Sequence, residues 1–295
     1  MNPWLTAIRL RTLPLALSSI GMGGFLSAAA RKFDWTIFLL CCLTTIFLQI
    51  LSNLANDYGD SIHGADHAGR KGPKRAVQSG AISLKQMKVA VIVTALLSLI
   101  SGIYLLWISL EWSRNEFLVF LGIGLLCILA AVAYTVGKKP YGYSGLGDIS
   151  VLIFFGLVGV MGSSYLMTKS LEWLQMLPAL SCGLFSVAVL NINNIRDIES
   201  DKAAGKFSVP VRIGKSKAAL YHGFLLIGGI IFSLIYVILN FHSAWQLMFL
   251  LVLPILLKIL SAVKNEPSEN LDPWLKRMAL TTLLFVILFG VGALL

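Results

Sequence analysis

Charged side chains are scarce in this 295-residue sequence, and carboxylates are the scarcest of them. Asp, Glu, Lys and Arg make up 13% of the residues, and only 14 residues are acidic. An ordinary soluble domain carries about 25% charged residues. With 57% hydrophobic residues and a mean hydropathy of +0.81, the chain is too apolar for a water-soluble fold. We therefore expect lipid to surround most of it.

Cysteine and histidine are also rare, with four residues of each. Cys41, Cys42, Cys127 and Cys182 lie inside apolar segments, where cysteine behaves as a small buried hydrophobe. No CxxC or Cys/His spacing indicates a zinc site. The net charge of +10 is not accompanied by a soluble basic surface or a known nucleic-acid-binding motif. We therefore expect no nucleic-acid partner.

Apolar runs long enough to cross a bilayer, about 20 residues each, recur along the chain. They predict an all-α fold, a polytopic membrane bundle of nine transmembrane helices that forms one domain over residues 1–295. The predicted spans are 13–30, 36–55, 88–110, 116–136, 147–168, 173–195, 217–239, 243–263 and 277–295.

The basic residues predict how this bundle is oriented. Of the 24 Lys and Arg residues, only Arg31, Lys32, Arg114 and Lys169 fall on one side of the predicted bundle, which leaves 24 − 4 = 20 on the other. By the positive-inside rule, the N-terminus and the loops that follow the even-numbered spans are cytoplasmic. We expect an integral protein of a bacterial plasma membrane.

Two of these cytoplasmic loops, at about 56–87 and 196–216, begin with polar clusters. Each cluster combines an Asn with Asp residues at helical spacing, so that its side chains share one helix face if the helix continues past the span. The offset between the clusters is 193 − 53 = 140 residues, as in internally repeated membrane folds. The first acidic cluster comprises Asn53, Asp57 and Asp60, and the second acidic cluster comprises Asn193, Asp197 and Asp201.

Rows of carboxylates at a membrane boundary repel one another unless cations join them. Oxygen ligands without Cys or His suit Mg²⁺, which proteins hold with a few carboxylates and the phosphates of a substrate. We therefore predict that all six residues bind Mg²⁺ and that a diphosphate bridges the two clusters. Basic residues that follow the clusters are predicted to bind the diphosphate: Arg70, Lys71, Lys74, Arg75, Lys202, Lys206 and Arg212.

These motifs resemble the two aspartate-rich motifs of UbiA-type intramembrane prenyltransferases. The resemblance covers most of the chain, because that family also has nine spans with both motifs in cytoplasmic loops. One residue departs from the pattern, since the family places an Asp where Ser61 stands and this chain has Asp60 instead. The segments 9–14, 72–80 and 140–148 are most similar to the members that prenylate 1,4-dihydroxy-2-naphthoate.

The resemblance implies a Mg²⁺-dependent transfer of a polyprenyl group from polyprenyl diphosphate to the naphthoate, with decarboxylation, in menaquinone biosynthesis. Another aromatic acceptor (4-hydroxybenzoate, homogentisate or a chlorin) is the alternative within the family. Outside the family, an ion-coupled transporter also carries intramembrane carboxylates. The position of the carboxylates at span ends, beside basic loops that suit phosphate, favours the enzyme.

Four further residues are candidates for contact with the acceptor. Arg9 and Arg11 could bind its carboxylate, or they are only topology signals. Asp148 could orient or deprotonate a hydroxyl as a catalytic group, or it caps a helix. Tyr134, like other aromatic residues near the loops, could stabilise an allylic cation, or it belongs to the aromatic belt at the membrane interface. The loop over 264–276, in contrast, is expected to be a plain solvated connector.

Overall fold

The computed structural model describes residues 2–64, 75–110 and 113–295. Over these residues the protein is all-α, and nine helices are long and apolar enough to cross a membrane. The predicted fold class and number of spans are thereby confirmed. In chain order, the spans are α1 (Pro3–Ala29), α2 (Trp35–Ile62), α3 (Leu84–Leu110), α4 (Arg114–Ala133), α5 (Gly147–Thr168), α6 (Trp173–Arg196), α7 (Val209–Leu239), α8 (Ala244–Asn265) and α9 (Asp272–Leu294).

Polar residues at the helix ends explain several of these bounds. The Asp34 carboxylate accepts the Ile37 amide at 2.9 Å and caps the start of α2, a favoured arrangement for the first turn of a helix. Ser243 and Gln246 form a reciprocal capping box at the start of α8. Pro210 and Pro273 stand in the first turns of α7 and α9, where a missing amide proton costs nothing.

Two of the spans contain irregular segments. Helix α1 is interrupted at Arg9, whose φ of 54° and ψ of 59° place it in the left-handed region, which is uncommon for a residue other than glycine. Helix α5 is wound as a π-helix over Leu152–Gly162. Such segments are rare and occur frequently at functional sites. Both irregular segments contribute side chains to the cavity described below.

The interior of the bundle lies mainly between α6, α7, α8 and α9. Phe185, Phe249, Phe285 and Phe289 are buried there, and the Phe185 and Phe285 rings meet edge to face with centroids 4.7 Å apart. Helices α5 and α6 approach closely, because a Cβ on Gly156 would lie only 2.7 Å from the Ala179 carbonyl oxygen. Small residues at such contacts allow membrane helices to pack without a hydrophobic driving force.

Two sequence predictions about the cytoplasmic side are corrected by the structure. Helix α9 begins at Asp272 rather than near residue 277, so Asp272 belongs to a span and not to a solvated connector. Much of the 196–216 loop is also helical, since a short helix covers Ile198–Ala203 and α7 already begins at Val209. Hydropathy misses these first turns because they are polar.

Candidate active site

The first acidic cluster lies on a continuous helix, as predicted. Helix α2 runs to Ile62, so Asn53, Asp57 and Asp60 share one side of it, and all three are buried. The Arg9 guanidinium donates a hydrogen bond to Asp57. Asn53 supports this pairing, because its side-chain amide donates to the Ile8 carbonyl oxygen at 2.8 Å, next to the left-handed turn at Arg9.

Arg75 joins the two carboxylates of this cluster. Its guanidinium donates to an Asp60 carboxylate oxygen at 2.5 Å and lies 3.7 Å from Asp57. It also donates to the Asn56 carbonyl oxygen at 3.0 Å, and its side chain is only 9% exposed. A cation placed so deeply contributes more to the local field than an exposed lysine does. The predicted basic residue at position 75 thus lies at the first acidic cluster.

Asp60 rather than Ser61 faces the cluster. The Asp60 carboxylate accepts hydrogen bonds from Arg75 and from the Tyr143 hydroxyl, the latter at 2.7 Å. The Ser61 hydroxyl instead donates to the Asp57 backbone carbonyl at 2.7 Å. The one-residue shift relative to the family pattern therefore still brings a carboxylate to the site.

The second acidic cluster does not lie on one continuous helix, which corrects the sequence prediction. Helix α6 ends at Arg196, and Asp197 (φ −97°, ψ 12°) separates it from the short helix Ile198–Ala203. The backbone amides of Asp197 and Asp201 still donate to the carbonyls of Asn193 and Asp197, at 3.1 Å and 2.8 Å. Because the hydrogen bonds still span four residues, the cluster residues keep the spacing of one helical turn between them.

Arg196 is the centre of the second cluster. Its Nε and one terminal nitrogen donate to the two oxygens of Asp197, at 2.9 Å and 2.8 Å. The same terminal nitrogen donates to the side-chain oxygen of Asn193 at 2.8 Å. This forked geometry is specific to arginine. Arg196 lies between Asn193 and Asp197 in the sequence, but the spacing argument assigned it no role.

Lys206 holds the last residue of the second cluster. Its ammonium nitrogen lies 3.3 Å and 3.2 Å from the two Asp201 carboxylate oxygens, and the side chain is buried. Burial by itself lowers the pKa of Lys206, but the carboxylates of Asp201 and Asp60 raise it above its ordinary value. Burial raises the pKa of Asp201, and Lys206 opposes that rise. Lys206 therefore remains charged within the site.

Lys206 and Tyr143 also join the two clusters to each other. The Lys206 ammonium lies 6.0 Å from the centre of the Tyr143 ring, and the Tyr143 hydroxyl donates to Asp60. Burial and the nearby Asp60 carboxylate raise the pKa of Tyr143 above its ordinary value, so the hydroxyl keeps its proton and acts as a donor. The chain of contacts Asp60–Tyr143–Lys206–Asp201 connects the first acidic cluster to the second.

Among the described residues, each carboxylate of the two clusters has a basic partner. Asp57 pairs with Arg9, Asp60 with Arg75, Asp197 with Arg196 and Asp201 with Lys206.

The donors of the site suit Mg²⁺ in their chemistry, although they are not a closed metal cage. Among the described residues, no three Asp, Glu, His or Cys side chains converge as a finished metal site. The available donors are carboxylate and amide oxygens, and Mg²⁺ usually takes one or two carboxylates together with substrate phosphates. The residues present therefore fit a Mg²⁺ ion that arrives with its substrate.

A cavity of about 860 Å³ extends from this site into the membrane region. Its polar end is lined by Arg9, Asn53, Asn56, Tyr134 and Asn193, while its long wall is apolar. That wall includes one face of α4 and the aromatic and aliphatic residues of the π-helix in α5. Helix α4 has no fully buried residue. One of its faces is open to the cavity, and the opposite face points away from the bundle.

The remaining predicted residues occupy different surroundings. Burial raises the pKa of Tyr134, at the polar end of the cavity, to about 12. Asp148 is buried and accepts a hydrogen bond from the Tyr221 hydroxyl at 2.9 Å. Arg11 does not line the cavity; it donates to Asp272 at 2.6 Å.

Two other predicted diphosphate-binding residues, Lys202 and Arg212, are described and lie outside this arrangement. Lys202 is exposed on the short helix that also carries Asp201 of the second cluster. Arg212 donates to the backbone carbonyls of Phe207 and Ser144, each at 2.9 Å, so it fastens two loop segments to each other. Arg70, Lys71 and Lys74 lie outside the described residues.

Comparisons with known proteins identify the family to which the chain is similar. A family model described as "UbiA prenyltransferase family" matches residues 16–284. The chain is 46% identical to a 1,4-dihydroxy-2-naphthoate octaprenyltransferase of Haemophilus influenzae, over 100% of this chain and 96% of that relative. It is 44% identical to a protein of the same name from Escherichia coli, over 98% of this chain and 94% of that relative.

A solved structure shares the fold. The structure of a UbiA homolog from Archaeoglobus fulgidus bound to GPP and Mg²⁺ matches with a TM-score of 0.68, covering 99% of this chain and 100% of that chain. At 15% sequence identity, this likeness establishes the architecture of the bundle.

Proposed function

Because this chain belongs to the UbiA prenyltransferase family, we propose that it transfers a polyprenyl group from polyprenyl diphosphate to 1,4-dihydroxy-2-naphthoate. The naphthoate loses its carboxylate as CO₂, pyrophosphate is released, and demethylmenaquinol is formed for menaquinone biosynthesis. Relatives that match nearly the whole chain bear this activity in their names. The observation that carries the proposal is the meeting of two acidic clusters at the polar end of an apolar cavity.

The cations of the site stabilise the negative charge of the leaving diphosphate. Breaking the allylic C–O bond moves negative charge onto the diphosphate, so positive groups near it stabilise the transition state more than the ground state. Arg75 and Lys206 are buried next to the clusters and are the described cations best suited to this role. Asp57, Asp60, Asp197 and Asp201 would hold Mg²⁺, which would supply further positive charge to the same oxygens.

The cavity holds the apolar tail of the donor and keeps water from the reacting carbon. An allylic cation must be kept from water until the aromatic ring attacks it, and an apolar cavity within the membrane provides that protection. The tail of the donor lies along α4 and π-helical α5, whose side chains form the apolar wall. The Tyr134 ring lines the polar end of the cavity, and we propose that it stabilises the cation.

Arg9 is the residue we propose for the carboxylate of the acceptor. It lines the cavity and holds a buried carboxylate already, which shows that its guanidinium is directed into the site. Its left-handed backbone, at φ 54° and ψ 59°, is a strained conformation of the kind found at binding sites. Asp148 is retained as the candidate that orients an acceptor hydroxyl, through its contact with Tyr221.

We also propose that the active-site end of the bundle faces the cytoplasm of a bacterium, in its plasma membrane. The ends of α2 and α6, which carry the clusters, lie on the side that holds most Lys and Arg residues. Labelling of single cysteines introduced in the connections between spans would test this orientation. Access from outside the cell to a cysteine at Gly205, beside the second cluster, would contradict it.

The acceptor is tested with membranes that contain the protein, Mg²⁺ and octaprenyl diphosphate, supplied with either the naphthoate or 4-hydroxybenzoate. We expect prenylated product from the naphthoate alone. Asp197→Asn should lower the rate about 100-fold or more, whereas Glu199→Gln, which removes an exposed charge two residues away, should not. Product from 4-hydroxybenzoate alone would reassign the acceptor, and ion flux without pyrophosphate release would revive the transporter.

A further inference from the structure

Arg196 has more partners than a simple ion pair requires. Its side chain is 2% exposed, and besides holding Asn193 and Asp197 it donates through its remaining terminal nitrogen to Asp272 at 2.5 Å. A buried guanidinium is stable only when its charge and its donors are matched. The charge of Arg196 is therefore divided between a residue of the acidic cluster and a residue of α9.

Asp272 is placed to receive that charge. It is the first residue of α9, where a carboxylate is stabilised by the positive end of the helix. One of its oxygens accepts from Arg196 and the other accepts from Arg11 at 2.6 Å. These contacts join three segments of the chain, because Asp272 stands 76 residues after Arg196 and 261 residues after Arg11.

From this arrangement we infer that Asp272 is a positioning residue for the second acidic cluster. It fixes Arg196, and through Arg196 it sets how tightly Asn193 and Asp197 are held. The inference rests on the proposed function in one respect, namely that this cluster binds Mg²⁺ together with a diphosphate.

The direction of the effect follows from competition for Asp197. A metal ion that binds this carboxylate must loosen the two hydrogen bonds from Arg196. While Asp272 is present, Arg196 keeps a carboxylate partner as Asp197 turns to the metal. Without Asp272, the uncompensated charge of Arg196 would hold Asp197 more strongly, and Mg²⁺ would compete less well.

The test measures binding directly, on the purified full-length protein in detergent. Isothermal titration calorimetry with Mg²⁺ and inorganic pyrophosphate compares the unmodified chain with Asp272→Ala and Asp272→Asn. Loss of a residue that orients metal ligands typically weakens metal binding roughly 10- to 100-fold, and we expect that loss for Asp272→Ala. The Asn variant keeps an oxygen acceptor for Arg196 without the charge, so its loss should be smaller.

Glu266→Gln is the matched control. Glu266 carries the same charge six residues earlier, and its backbone carbonyl, which the substitution leaves in place, accepts a hydrogen bond from Lys215. We expect its Mg²⁺ and pyrophosphate binding to be unchanged. Thermal melting in the absence of Mg²⁺ identifies a variant that is merely unfolded; if Asp272→Ala is unfolded, the Asn variant decides.

Steady-state rates separate positioning from general damage. We expect Asp272→Ala to need more Mg²⁺ for half-maximal rate, to regain most of its activity at saturating Mg²⁺, and to keep its KM for the acceptor. Binding equal to that of the unmodified chain, or a loss that Mg²⁺ does not rescue, would overturn the inference. If the unmodified chain binds Mg²⁺ and pyrophosphate but prenylates no naphthoate, the proposed acceptor fails while the role of Asp272 stands.

Discussion

Replacing Gly124 with phenylalanine should make the enzyme selective for short prenyl donors. Gly124 lies on the face of α4 that lines the cavity, and no atom lies within 4 Å of the position that its Cβ would take. It stands ten residues before Tyr134, so at 1.5 Å per helical residue it is about 15 Å from the polar end of the cavity. A ring at this depth meets the far part of a long tail and leaves a short one untouched.

The size of this effect can be estimated from packing. Forcing extra atoms into an occupied apolar space typically costs about 1–3 kcal/mol, and about 1.4 kcal/mol corresponds to a tenfold change in rate. We therefore expect kcat/KM for octaprenyl diphosphate to fall roughly 5- to 150-fold. The value for geranyl diphosphate should stay nearly the same, because its tail ends before the new ring.

Helix α4 also provides the control. Gly122 has the same open surroundings but does not line the cavity, since two residues turn a helix by about 200°. Gly122→Phe adds the same bulk in the same helix and should affect neither donor. The assay measures prenylated naphthoate for both donors in all three proteins. Equal losses for both donors with Gly124→Phe, or none with either, would refute this path for the tail.

Three further predictions concern the site and its surroundings. Tyr143→Phe removes the hydroxyl that donates to Asp60. Hydrogen bonds to charged groups contribute about 1.5–3 kcal/mol, so kcat/KM should fall roughly 10- to 150-fold, and an unchanged rate would contradict this role. Gly59→Ala should lower the melting temperature, because its Cβ would lie 2.5 Å from the Thr135 carbonyl oxygen. Gly102→Ala, with its nearest atom at 3.7 Å, is the control for that measurement, and equal melting temperatures would speak against the clash. Chelation of divalent ions should abolish product formation and Mg²⁺ should restore it, and turnover that persists with chelator would argue against the metal.

The bundle itself was predictable because lipid imposes a simple requirement on the sequence. Every span needs a long apolar run, and these runs identify all nine candidate spans of the described residues. The first turns of α7 and α9 were not included in the predicted spans, because polar residues at a membrane surface carry no hydropathy signal even when they are helical. Asp272 was assigned to a connector for that reason, although it is the first residue of a span.

The two acidic clusters were predictable for a different reason. Carboxylates are rare in this chain, and their helical spacing singles out Asp57 and Asp197 without any knowledge of the fold. Arg196 lies next to Asp197 in the sequence, but its contact with Asp272 joins residues 76 positions apart. Local spacing does not encode that contact, the break at Asp197 or the left-handed turn at Arg9.

Helix α4 is one helix thick at the cavity wall. The cavity lies on one of its faces, and the outside of the bundle lies on the other. A donor that reaches the cavity past such a thin wall diffuses in two dimensions and never dissolves in water. The quantity that governs its capture is then its mole fraction among the surrounding lipids or detergent molecules, not its amount per litre. Adding detergent at a fixed amount of donor should accordingly slow turnover by surface dilution, whereas the rate should follow the water-soluble naphthoate by its ordinary bulk concentration.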